Sequence, residues 1–348
     1  MSNELLFSAG FLGLILIILV LDLGLFSKKE HAVSLKQAGI MSAIMITLAL
    51  GFYVFLRLEG HQLHGVHDMT RLIDVVQSHR HPITLIPGDF EASLDLYRKN
   101  LGIEFLTGYV VEYALSIDNI FVIVLIFSAF SVEEKYYHRV LFWGILGAII
   151  MRFIFIFVGA ALISRFEWIL LIFGAFLVFT GLKMFFSKDD DEKIDPENHP
   201  VVKWASKVFA IYPQYEGKNF FVRKNGKKMI TPLFLVLLIV EFTDLLFAVD
   251  SIPAIFAVTH DPFIVFFSNI FAIMGLRSLF FLLVNIIHRF HYLKTGLAVL
   301  LTFIGLKMLL HTWLDRWGFS TEHSLIVIVS ILGLSILASL AFPKKVKA

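Results

Sequence analysis

Two stretches decide the fold: residues 165–185, RFEWILLIFGAFLVFTGLKMF, and residues 289–309, RFHYLKTGLAVLLTFIGLKML. They align without a gap, with 8 of 21 positions identical, and the Gly-Leu-Lys-Met block is shared whole. Apolar composition alone supplies some matches, but hardly a shared lysine. One apolar segment upstream, each half carries a single arginine, Arg152 or Arg277. One segment further upstream, Glu112-x5-Asp118-Asn119 corresponds to Asp244-x5-Asp250-Ser251. The repeating unit is therefore three segments long. An odd number of membrane crossings makes two copies run in opposite directions, and such inverted repeats recur in secondary transporters. A duplication kept only for packing is the plainer alternative.

Composition supports a membrane setting. Of 348 residues 58% are apolar and 17% charged, with mean hydropathy +0.81 and 37 phenylalanines, whereas soluble domains carry about 25% charged residues. A helix needs about 20 mostly apolar residues to cross the hydrocarbon core. Nine segments qualify: 5–26, 36–56, 104–130, 140–163, 167–186, 231–259, 263–287, 293–313 and 324–342. The first follows Met1-Ser2-Asn3-Glu4, which lacks the basic region of a cleaved signal, and reads as a retained helix.

The expected architecture is an all-α membrane protein of about nine transmembrane helices with two inverted three-helix repeats. Residues 1–56 supply two N-terminal helices, 57–102 an extracytoplasmic loop and 103–186 the first repeat. Residues 187–229 form a cytoplasmic loop, 230–313 the second repeat, and 314–348 the last helix and a basic tail. With the N-terminus outside, the segments facing the cytoplasm hold 19 Lys and Arg and those facing out hold 7, the sign of the positive-inside rule. The expected location is the inner (plasma) membrane, with the C-terminus cytoplasmic.

Glu112, Asp118, Glu241, Asp244 and Asp250 fall inside the third and sixth spans, and Asp22 falls late in the first. A carboxylate at the bilayer centre costs about 2.5–3.5 kcal/mol even on lenient scales. Arg152 and Arg277 could offset two charges; a divalent cation or protons could offset the rest. At about 100° per residue, Glu112 and Asp118 point roughly 120° apart, while Glu241 and Asp244 share a face. Pro253 lacks the N–H that would bond the Val249 carbonyl, so a kink is expected beside Asp250.

The candidate donors, with Asn119 and Ser251, are all oxygens, which suit Mg, Ca or Mn rather than Zn or Cu. Asp118 and Asp250, as equivalent acids, are expected to share one ion. The alternative for each acid is an ion pair with arginine that only fixes packing.

The blocks Phe105-Leu106-Thr107-Gly108-Tyr109, Ser116-Ile117-Asp118-Asn119 and Phe247-Ala248-Val249-Asp250-Ser251-Ile252-Pro253-Ala254 resemble the TerC/Alx family of integral membrane proteins. So do Ser268-Asn269-Ile270-Phe271-Ala272 and Gly275-Leu276-Arg277-Ser278-Leu279. The resemblance covers nearly the whole chain and departs at 57–102, which is longer and richer in histidine. It implies a bacterial-type inner-membrane protein, named for tellurium resistance and linked to manganese efflux, with Glu112, Asp118, Glu241, Asp244 and Asp250 as its acidic residues. The residues by themselves reach only a hard divalent cation held by oxygen.

The expected function is export of a divalent cation, Mn²⁺ favoured through the resemblance, in exchange for protons. The partners are that ion and the lipid bilayer, with no nucleic acid and no bound cofactor. The alternative is a non-transporting membrane scaffold or sensor in a metal-stress or tellurium-resistance complex. The chain contains no cysteine, which excludes disulfides and thiolate chemistry. It shows no HExxH, P-loop or GxSxG pattern, so no enzymatic activity is expected. His61, His64, His67, His79 and His81 in 57–102 read as solvated loop residues, with a metal-collecting loop as the alternative. The acidic run 189–192 reads as solvated charge.

Overall fold

The computed structural model describes residues 34–166, 168–186, 199–224, 226–284 and 292–342, together with Phe7, Gly10, Phe11, Gly13, Ile15, Ile17 and Ile18. Asp22, the run 189–192, Arg289 and the basic tail lie outside the described residues.

Helix starts follow the chain's short polar residues, whose side chains satisfy the first free N–H groups. Ser34 caps α1 (Leu35–Glu59), Asp68 caps α2 (Met69–Ser78) and Asp89 caps α3 (Phe90–Ala129). Helices α4 (Glu134–Arg165), α5 (Trp168–Phe186) and α6 (Pro200–Val208) follow. A hairpin of β1 (Phe221–Lys224) and β2 (Lys227–Ile230) turns through Gly226, whose φ of +76° suits glycine. Pro232 and Pro262 open α7 (Pro232–Phe256) and α8 (Pro262–Leu283) at their first turns. The chain ends with α9 (Leu293–Leu309), α10 (His311–Arg316) and α11 (Thr321–Ala341).

Seven described helices are long and apolar enough to cross a membrane, so the protein is an all-α membrane protein. They coincide with seven of the nine expected spans. The segment 293–313 breaks after the 17 residues of α9. The segment 5–26 is described only at seven helical positions, of which Phe11 packs on Phe267 with ring centroids 4.3 Å apart. One boundary differs from expectation. Helix α3 begins at Phe90, inside the segment read as loop. Helix α7 runs unbroken past Pro253 to Phe256, so the missing proline N–H falls near the helix end.

Helix α8 is the axis of the bundle, with 94% of its most apolar window buried against 17% for α5. Helices α1, α3 and α4 pack around it. The outer helices turn Phe179, Phe186 and Leu334 outward, as side chains bathed in lipid tails should be.

Polar contacts sort the connections into two ends. At one, Thr259 bonds Glu104, Lys307 bonds the Ala257 carbonyl, and Lys99 pairs with Glu322. At the other, Tyr215 bonds the Phe130 carbonyl and Arg139 lies over the Phe220 ring.

The two similar stretches meet each other as α5 against α9. A methyl group on Gly181 would lie 2.7 Å from both the Ala298 oxygen and the Thr302 nitrogen. A methyl group on Gly305 would lie 2.7 Å from both the Gly174 oxygen and the Val178 nitrogen. Under the alignment of the two stretches these contacts are equivalents of one another. Early positions on one helix meet late positions on the other, so the pair is antiparallel. The shared glycines are what let the backbones approach so closely.

Residues 57–102 are not a solvated loop. Leu63, Val66 and Leu72 are fully buried, and His64 and His81 are buried with them. The hydrophilic reading failed because the segment folds back under the α7–α8 turn, which hydropathy does not report.

Candidate functional site

Glu112 of α3 and Asp244 of α7 meet at Arg152 of α4, which has no exposed surface. Its Nη1 donates to Glu112 Oε1 on α3 and Asn269 Oδ1 on α8, and lies 3.3 Å from Ser251 Oγ on α7. Its Nη2 donates to Asp244 Oδ1 at 3.4 Å. Asp244 and Ser251 reach the same group because seven residues bring a helix back to within about 20° of the same face. A buried guanidinium without partners would cost several kcal/mol. Here four oxygens from three helices meet it.

The other acids of α7 go elsewhere. Asp250, one residue before Ser251, is turned about 100° away and accepts from Thr180 Oγ1 on α5 at 3.4 Å. The Glu241 carboxylate lies over Gly147 of α4, filling the space a methyl group there would need. Glu241 and Asp244 thus both face α4, as their spacing requires. Asn119 is buried, and its Oδ1 has no hydrogen-bond partner among the described residues; the same holds for Glu112 Oε2 and Ser116 Oγ. Asp118 is half-buried. Arg277, expected as a second counter-charge, donates to His138 Nδ1 at 2.8 Å.

The structure therefore gathers Glu112, Asp244 and Ser251, and sets Glu241 and Asp250 against separate neighbours. Sequence reasoning missed Asn269 and Thr180 as partners. The signal for Asn269 was present, since an amide within an apolar span needs a partner at membrane depth. It also missed Glu104, fully buried eight residues before Glu112. A cavity of about 260 Å³ lies beside Glu104, walled also by Arg80, His260, Lys307 and His311.

Comparison with known proteins agrees with this architecture. The Integral membrane protein TerC family matches residues 97–347. An uncharacterized membrane protein, STKORF319, of Myxococcus xanthus is 42% identical over 332 residues, 95% of this chain and 91% of that protein. Alx of Salmonella typhi, which carries the provisional description membrane-bound redox modulator, is 43% identical over 94% of this chain and 91% of its own length. Alx of Escherichia coli K12, described likewise, is 43% identical over 93% of this chain and 90% of its own. No solved structure matches the chain. With its family matching most of the chain and these relatives aligning nearly end to end, the chain belongs to the TerC family of integral membrane proteins.

Proposed function

We propose that this protein is a secondary transporter that exports a divalent cation, Mn²⁺ by preference, in exchange for protons. One observation carries the reading: Arg152 is a tethered cation inside a ready-made oxygen shell of Glu112, Asp244, Ser251 and Asn269. Hard divalent cations take carboxylate, amide and hydroxyl oxygens of this kind. Arg152 neutralises the shell when no ion is bound and must withdraw when one enters. Asp118, Asn119, Glu241 and Asp250 supply the further oxygens along the path, and the two inverted three-helix units alternate access. In this reading the 57–102 end faces outward and the hairpin end faces the cytoplasm of a bacterial-type inner membrane.

A scaffold or sensor would need no charge cluster at membrane depth, where each charge is expensive. A thiol-based redox role has no cysteine to run on.

The test is Mn²⁺ flux in proteoliposomes of the purified chain, with Ca²⁺ and Mg²⁺ as competitors. Wild type should move the ion, and Asp118→Asn and Asp250→Asn should each abolish flux while remaining folded. Wild-type rates in both variants, or no flux in wild type, overturn the proposal.

A further inference from the structure

Three histidines and an aspartate that the transport reading leaves unused converge at the end of the bundle opposite the hairpin. His64, His79 and His81 come from the segment before α3, and Asp261 caps α8. Their candidate ligand atoms lie close together: His64 Nε2 is 3.4 Å and His81 Nε2 is 4.0 Å from Asp261 Oδ2. One ligand atom each from His64, His79 and Asp261 all fit within 4.8 Å of one another. The side chains of His64, His81 and Asp261 have no exposed surface. Yet His64 Nε2, His81 Nε2 and Asp261 Oδ2 make no hydrogen bond among the described residues. A buried polar atom left without a partner forfeits its hydration with nothing in return.

The opposite edge of each side chain is held. Tyr97 Oη lies 2.8 Å from His64 Nδ1. Glu104 lies 3.1 Å from His81 Nδ1 and is itself held by Asn100 at 2.8 Å and Thr259 at 2.7 Å. A proton on His81 Nδ1, facing Glu104, leaves the Nε2 lone pair aimed at Asp261. Asp261 Oδ1 accepts the Phe263 N–H at 2.9 Å, which frees Oδ2. A carboxylate behind a ligating histidine is the usual second layer of a metal site.

The backbone is bent to suit. Arg80, between His79 and His81, has φ +53°, a left-handed conformation that non-glycine residues seldom adopt.

A tetrahedral ion with bonds of about 2.0–2.1 Å sets its ligand atoms roughly 3.3–3.4 Å apart. His64 and Asp261 already have that spacing; His79 lies within 4.8 Å of both, His81 stands 4.0 Å from Asp261, and both must draw inward to ligate. Imidazole-rich sites select zinc-like ions over Mg, Ca or Mn, and four protein ligands leave no open position, the mark of a structural site. We propose that His64, His79, His81 and Asp261 form a structural site for a zinc-class divalent cation, which ties the 60–81 segment to the α7–α8 turn. One ion would satisfy all three orphaned atoms at once. The site is separate from the oxygen shell around Arg152 and does not rest on the transport reading.

The full chain, stripped with chelator in detergent, is titrated with Co²⁺ as a visible stand-in for zinc. The expected result is a tetrahedral absorption band that saturates at one Co²⁺ per chain and is displaced by Zn²⁺. Zn²⁺ should also raise the thermal midpoint of wild type. Glu104→Gln should keep the band shape but weaken binding by about 10–100-fold, His81→Gln and Asp261→Asn should lose the band, and Asp250→Asn should keep it. No band and no zinc-dependent midpoint in wild type overturns the proposal without any variant. So does a band unchanged in both His81→Gln and Asp261→Asn, or one lost in Asp250→Asn.

Discussion

Replacing Gly181 or Gly305 by alanine should loosen the bundle by wedging α5 from α9. The added methyl group at either position lies 2.7 Å from a backbone oxygen and a backbone nitrogen of the facing helix. Ordinary contact begins about 0.7 Å further out, and backbone atoms cannot swing aside as a side-chain tip can. The two helices must therefore separate along much of their length, an overpacking that costs about 1–3 kcal/mol.

Because the two contacts are equivalents under the antiparallel pairing, the two variants should be destabilised by similar amounts. The double variant should cost clearly less than their sum, since one separation relieves both clashes. Gly51→Ala and Gly333→Ala are the controls: both glycines lie in helices with nothing within 4 Å of an added methyl group. Those changes should be neutral or stabilise by up to about 1 kcal/mol. The assay is the thermal midpoint of the purified chain in detergent, in which the wedge variants should fall by roughly 2–6 °C. If Gly181→Ala melts with Gly51→Ala, the close α5–α9 approach is wrong. Strict additivity in the double variant would refute the shared separation.

Arg152→Gln should destabilise by about 3–5 kcal/mol, because it leaves Glu112 buried beside Asp244 without a counter-charge. Adding Glu112→Gln should recover more than half of that, read from the same melting curves; a simple sum of the two losses would show that the pair does not act as a unit. Orientation is open to single-cysteine labelling in this cysteine-free chain. Glu91→Cys should react with an impermeant reagent added outside cells and Gln214→Cys should not, so the reverse pattern would invert the proposed topology.

Much of this protein was legible in order along the chain. Hydropathy is a local property, so the segments 36–56, 140–163 and 167–186 coincide with long helices. The acids of α3 and α7 stood out because charge at membrane depth is costly wherever the helix goes. The shared Gly-Leu-Lys-Met block marked two helices that pack on each other through its glycines. The β1–β2 hairpin was legible too and went unread: Asn225-Gly226 between short β-prone runs is the strongest short-range hairpin signal.

Partner choice was not legible. Spacing shows that Asp244 and Ser251 share a face and that Asp250 leaves it, but not that the face meets Arg152 or that Asp250 meets Thr180. The histidines show the limit most plainly. In sequence, His64 and His81 sit in a polar stretch and read as solvated; in the fold both are buried, facing Asp261 from a turn about 180 residues further on. Helix periodicity and transfer energy depend on near neighbours, so the chain itself specifies which segments become helices and which groups need compensation. Which group provides it depends on how helices far apart in sequence cross, and that is settled only when the bundle packs around α8.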